Sequence, residues 1–454
     1  MREQTLLQGR LLHFIVFLPI LGRSFFPQVR DASSITFQSS FSDPQILGVY
    51  ALWAYCLYRF VRRPDTLKGL FALPLWPLTL FVVVVVASAF MVSNSLMYSL
   101  WRSIETAGVL LWGVLVLAEL RNEEAPLRLF VSFYAMSALM LLGVVAAMVI
   151  DPQHAWMNDD SGVQRLATTS TFMMGANSIG VVAALLSLSA LSRFMCVLKV
   201  HYFVLFGAFL ALCYAARSRT GFIVFVLGAL LLMVFSFRTP SRRMVTSISG
   251  LLLTLLVVGL LFVSPEFTDS ITNTFTRGQN ETNIKSLDGR VSIWTAALKA
   301  FEMSPILGSG YATYPMRIGA GGHFHNMFIE LAVTTGVLGL IPVLILFALI
   351  AMRLAKIFSR YPNEDTPHQL VSIDALLIGT VLIVSEMTTA GAAYYSWQMI
   401  GIVMLAVGLY AMPNAQETKI SDDDCSLEAM GMQETLISMP QSADFKPDRN
   451  SILL

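Results

Sequence analysis

Uninterrupted apolar stretches recur along this chain and limit its fold more than any motif does. Segments such as FVVVVVASAFMV (residues 81–92) and LGLIPVLILFALIAM (338–352) have no polar face to turn to water. In a bilayer every backbone N–H and C=O must find its partner inside the protein, so the spanning structures are helices and closed barrels. Runs of about 17–25 apolar residues are long enough to cross the hydrocarbon core as helices. Hydrophobic residues make up 56% of the 454 and charged residues only 13%, a balance outside the range of soluble globular domains.

The expectation is an all-α multi-pass integral membrane protein of about twelve transmembrane helices, near residues 5–22, 44–60, 69–91, 102–119, 127–150, 169–191, 200–216, 219–237, 244–263, 325–352, 370–391 and 395–412. Pro19 and Arg23 shorten the first run, and no small-residue cleavage site closes it, so it is read as a retained span. Residues 1–412 then form the membrane domain. Residues 413–454 are polar, acid-leaning and aperiodic, as in a disordered tail. Most of the 30 Lys and Arg residues fall on alternate loops, including Arg59, Arg62, Arg63, Lys68, Arg121, Arg128, Arg353 and Lys356. The positive-inside bias puts those loops and both termini in the cytoplasm. The long hydrophilic stretch at about 264–324 then lies outside.

Polar chemistry gathers at that outer side. GAGGHFHNMFIELAVTTGVLG, from Gly319 to Gly339, sets His323 and His325 after a glycine-rich turn, where a long apolar run begins. An imidazole there can exchange a proton near neutral pH. Asn326 and Glu330, four residues apart, share one helical face. Arg217 and Arg219 stand at an outer helix end, against the usual charge bias. Within the outer loop, Asp288 can cap a helix in which Val291, Trp294, Leu298 and Phe301 form an amphipathic stripe suited to the membrane surface. Arg290 sits in its first turn, where the helix dipole disfavours a cation and an anionic partner would compensate.

Other polar residues carry blander readings. The outer loop Asp151–Arg165 reads as solvated, and Asn177, between Gly175 and Gly180, reads as helix-packing glue. Cys56, Cys196, Cys213 and Cys425 suggest no outward disulfide framework. The net charge of +1 singles out no partner class. Phosphate-loop, HExxH metal and nucleic-acid motifs are all lacking, so no metal, no cofactor and no nucleic acid is expected.

Three ordered segments, SRTG (Ser218–Gly221), DGRVSIWTAALKAFEMSPILGSGYATY (Asp288–Tyr314) and HNMFIELAVTTGVLG (His325–Gly339), resemble the O-antigen ligase and polymerase superfamily of bacterial envelope glycan assembly. The motif region runs from about 218 to 339. The resemblance implies a membrane glycosyltransferase of GT-C-like fold in the inner membrane, with its active site facing the periplasm. It implies a glycan donor on undecaprenyl diphosphate and a saccharide acceptor, either another lipid-linked repeat unit or the lipid A core. It assigns catalysis to Arg219, Arg290 and His325; Arg217 and His323, which have no firm place in its pattern, are substrate-binding candidates on their position in the sequence, with Asn326 and Glu330. The family's proline before asparagine is Ala176 here. A polymerase of surface polysaccharide is the first expectation and an O-antigen ligase the alternative. A transporter or flippase is a third reading, disfavoured because no internal repeat is visible.

Overall fold

The computed structural model describes residues 44–120, 125–158, 164–168, 174–237, 290–313, 324–360, 367–388, 393 and 396–412. The expected spans near 5–22 and 244–263, Asp288, His323 and the tail beyond 412 lie outside the described residues. The chain divides at Ala411 into two compact units, Met1–Ala411 and Met412–Leu454, and the elements named below belong to the first. They are α1 (Pro44–Arg62), a 3-10 helix (Pro64–Phe71), α2 (Trp76–Val92), α3 (Leu96–Glu119), α4 (Ala125–Ile150), β1 (Trp156–Asn158), β2 (Gln164–Leu166), α5 (Ala176–Val197), α6 (Val200–Ala215), α7 (Arg219–Phe237), α8 (Arg290–Met303), α9 (Met327–Arg360), α10 (Pro367–Thr388) and α11 (Trp397–Ala411).

Among the described residues five helices are long and apolar enough to cross a membrane: α3, α4, α5, α9 and α10. The 3-10 helix and α2 make a sixth if counted as one span, although they meet at 89°. That bend interrupts the run expected at 69–91. Pro74 and Pro77 sit at the corner, where proline removes backbone donors and pushes the preceding residue out of the helical region. The shorter apolar helices α6, α7 and α11 fall where spans are expected. Among the described residues the architecture departs from all-α in one place: β1 and β2 pair antiparallel as a small hairpin between α4 and α5, with Met157 opposite Arg165.

A second departure lies inside α9, expected as one continuous helix. Gly336 adopts φ 64°, ψ −167°, and the helix breaks there. The backbone groups freed by the break are taken up by the segment after α8. Ser309 and Gly310 donate their N–H groups to the carbonyls of Val333 and Thr334, while the carbonyls of Pro305 and Ile306 accept from Val337 and Leu338. Ser88 Oγ on α2 lies 3.1 and 3.2 Å from the carbonyls of Leu307 and Thr334. Irregular backbone inside an apolar bundle is tolerated when buried protein satisfies it in this way. A Cβ at Gly308 would meet the Thr334 backbone at 2.4 Å, and one at Gly336 would meet the Ile306 carbonyl at 2.2 Å. SPILGSGY is therefore more than a loop that ends a helix: it is a plug fitted into α9. Buried Tyr311 anchors it, donating to the Ala393 carbonyl at 2.6 Å and lying 2.9 Å from Thr106 Oγ1.

α5 packs on α6, α7 and α10. Its last turns carry Arg193, which binds Asp374 of α10 through two contacts of 3.1 and 3.0 Å. Asp374 stands near the start of α10, so α5 and α10 run antiparallel. Counting back to Asn177 and forward to Thr388 at 1.5 Å per residue gives roughly 20–25 Å on each helix. The start of α5 and the finish of α10 therefore share one end of the bundle.

Candidate functional site

Arg217 and Arg219 flank a tight corner between α6 and α7. The helix does not continue through them: Arg217 lies in the left-handed region at φ 44° and donates its N–H to the Tyr214 carbonyl. Ser218, fully buried, caps α7 by accepting the Gly221 N–H on its Oγ at 3.1 Å. Gly221 is required by a close helix crossing, because a Cβ there would come within 2.7 Å of the Gly180 backbone. The SRTG motif thus reads as cap, cation, buried Thr220 and contact point. It places Arg219 at the first position of α7, the positive end of the helix dipole, where an anion is favoured.

His325 is mounted with equal care. Its φ of 55° is left-handed, a conformation that costs a non-glycine residue roughly 1 kcal/mol or more. The neighbours on both sides hold it. Phe324 is tied at both polar atoms, its N–H donating to Glu330 Oε2 at 3.0 Å and its carbonyl accepting from Trp294 Nε1 at 2.8 Å. Asn326 caps α9, with Oδ1 accepting from the N–H groups of Phe328 and Ile329. Glu330 is fully buried. Asn326 and Glu330, read from the sequence as substrate-binding candidates, thus commit these side-chain atoms to fixing the His325 backbone.

Arg290 opens α8, which packs Ile293, Ala297, Ala300 and Phe301 against Phe324, Ile329 and Val333. The two alanines let α8 approach α9 closely, while Val291 and Leu298, from the stripe expected to face the membrane surface, are exposed on the protein. Arg290 Nη1 donates to the Thr388 carbonyl at 3.4 Å, and Asn326 Nδ2 donates to the Met387 carbonyl at 3.1 Å. Two separate motif segments thus converge on consecutive carbonyls at the finish of α10. The negative end of a helix dipole suits both donors.

Arg290, His325 and Asn326 are therefore brought together at the finish of α10. Arg217 and Arg219 stand at the same end of the bundle, at the start of α7, which packs on α10. His323 lies outside the described residues. Two residues escaped the sequence reading. Arg165, expected in a solvated loop, is buried and reaches the Arg217–Arg219 corner; nothing in the local pattern signals this. Glu386, in the last turn of α10, is fully buried, and as a lone acid in an apolar run it was open to detection. Among the described residues no cluster of His, Cys, Asp and Glu is arranged to hold a metal ion.

Comparison with known proteins covers this region. Residues 202–344 match the profile of the family described as O-Antigen ligase. The chain is also similar to the exopolysaccharide production protein ExoQ of Rhizobium meliloti (strain 1021), at 32% identity over 109 residues, covering 20% of this chain and 25% of the relative. The match thus spans a quarter of that protein's length. The stretch carrying Arg219, Arg290 and His325 is thus similar to the O-antigen ligase family.

Proposed function

We propose that the protein is an inner-membrane glycosyltransferase that takes a glycan from undecaprenyl diphosphate and transfers it, at the periplasmic face, to an acceptor saccharide. Its most fitting role is polymerising the repeat units of a surface polysaccharide. The observation that carries this reading is the convergence of Arg290 and of Asn326, which follows His325 in the chain, on the last carbonyls of α10. It brings the Arg290 guanidinium to the helix end where Asn326, the residue after His325, is also held, and the reading takes the Arg219 end of α7 to face the same side of the bundle.

In the proposed reaction the acceptor hydroxyl oxygen attacks the anomeric carbon. The bond from that carbon to the diphosphate oxygen breaks, and its electron pair leaves with the lipid diphosphate. Arg219 and Arg290 stabilise the charge through bidentate hydrogen bonds. His325 Nδ1 or Nε2 takes the hydroxyl proton. Direct displacement inverts the anomeric configuration. The diphosphate is itself a competent leaving group, so the scheme calls on no nucleotide cofactor.

The test is incubation of purified protein with an undecaprenyl-diphosphate oligosaccharide, followed by identification of the molecule that carries the enlarged glycan. A ladder of lipid-linked products supports the polymerase. The ligase, which gives the matched family its name, requires transfer to lipid A core with no lipid-linked ladder. Movement of lipid-linked sugar across vesicles with no change in its length would overturn both in favour of a transporter.

A further inference from the structure

We infer that Arg165 is a positioning residue for Arg219, acting through Asn177 and Ser218 to set the grip on the donor diphosphate. The inference rests on the function proposed above. Arg165 projects from β2 of the hairpin and is only 7% exposed. Its Nε donates to the Ala216 carbonyl at 3.3 Å, and its Nη2 donates to Asn177 Oδ1 at 3.1 Å. The same Asn177 oxygen accepts the Ser218 hydroxyl at 3.3 Å. Ser218 Oγ in turn accepts the Gly221 N–H, the bond that caps α7.

One guanidinium therefore touches both sides of the corner. It holds the last carbonyl before Arg217 and, two hydrogen bonds further on, the cap that directs Arg219. The corner has little slack elsewhere: Arg217 is left-handed, and Gly180 and Gly221 meet at backbone contact. A rotation at Ala216 would pass straight into the direction of Arg219. The fork geometry of arginine is needed, because the two acceptors belong to different helices and are reached from different nitrogens. Burying a cation at this site is costly, and an apolar side chain of similar length would pack at less expense. Stability alone does not account for an arginine here.

The hairpin explains how the residue reaches so far inward. Ala167 N–H donates to the Ala155 carbonyl, and Thr168 and Met174 exchange N–H bonds at 3.1 Å each, closing the loop against the start of α5. Arg165 thereby couples an outer loop to the motif corner.

The experiment measures steady-state transfer with varied lipid-diphosphate donor and varied acceptor, using the full chain purified in detergent. Arg165→Met keeps length and apolar packing and removes the donors. We expect its donor KM to rise about tenfold, the worth of one hydrogen bond to a charged group, with the acceptor KM unchanged and the thermal transition retained. Arg165→Lys, which reaches one acceptor at a time, should fall between. In an Asn177→Ala background most of the Arg165→Met effect should disappear. A structural defect alone would lower kcat with the folded fraction and leave both KM values in place, and that result overturns the inference. So does an equal rise in both KM values, or a full Arg165→Met effect in the Asn177→Ala background. If the wild type performs no transfer from a lipid-diphosphate donor, it is the proposed function that fails.

Discussion

The two ends of the α5–α10 pair bury charge in opposite ways. At one end Arg193 and Asp374 meet side by side on regular helices, with the Arg193 guanidinium also 5.1 Å from the centre of the Tyr134 ring. That cation is answered in full by its neighbours and ties three helices together. At the other end the candidate residues sit on irregular backbone or at helix starts: Arg217 and His325 are left-handed, and Arg219 and Arg290 are the first residues of their helices. A cation at a helix start is misplaced for the dipole unless an anion joins it. Under the proposed function, the contrast separates charge that assembles the bundle from charge held ready for a ligand.

The sharpest way to break this contrast is at the irregular end. His325→Ala should lower transfer by about 10²–10⁴-fold, the usual worth of a general base, with the thermal transition kept. The acid limb of the pH–rate profile should vanish with it, since only an unprotonated ring accepts the hydroxyl proton. Arg290→Lys should lose most activity as well, because an ammonium lacks the planar two-point grip. Transfer near the wild-type rate in Arg290→Lys would reduce its role to simple charge.

At the regular end the effect should be on stability. Asp374→Ala leaves Arg193 without its carboxylate and should cost about 3 kcal/mol, the lower end of the range for breaking a buried pair, because Arg193 keeps 22% side-chain exposure. The readout is the thermal transition in detergent, with activity falling only as the folded fraction does. Replacing both residues, Arg193→Met with Asp374→Leu, should recover much of the loss. Activity lost beyond the folded fraction in the double replacement would mean that this pair too serves the reaction.

Between the two stands Glu330, a buried acid at the irregular end whose carboxylate holds the Phe324 N–H. Glu330→Ala orphans the Phe324 N–H and should cost about 1–3 kcal/mol, with transfer reduced further because His325 loses its mount. Glu330→Gln keeps an acceptor oxygen and should retain most activity; loss equal to that of Glu330→Ala would show that the negative charge itself is used. The smallest effect is expected from Arg217→Gly, which relieves the left-handed strain by up to about 1 kcal/mol and weakens transfer only partly. Complete loss of transfer would promote Arg217 to the same rank as Arg219.

The apolar runs alone determined that this chain is a helical membrane protein, because each run needs lipid or protein on all sides and backbone bonds within itself. Local pattern also located the motif segments around Arg219, Arg290 and His325, since glycines, caps and charges at helix ends are signals over a few residues. Tertiary structure decided what those residues do for one another. The break at Gly336 looks like continuous helix in sequence, since the segment that satisfies it, Pro305–Gly310, lies some 30 residues earlier in the chain. Asn326 and Glu330 share a helical face in the sequence, but only the fold shows that they turn back to hold Phe324 and cap α9. Arg165 looks solvated because its acceptors, Asn177 and Ala216, come from two other elements. Hydropathy records what each segment must avoid, while hydrogen-bond partners distant in sequence are fixed only when the helices pack.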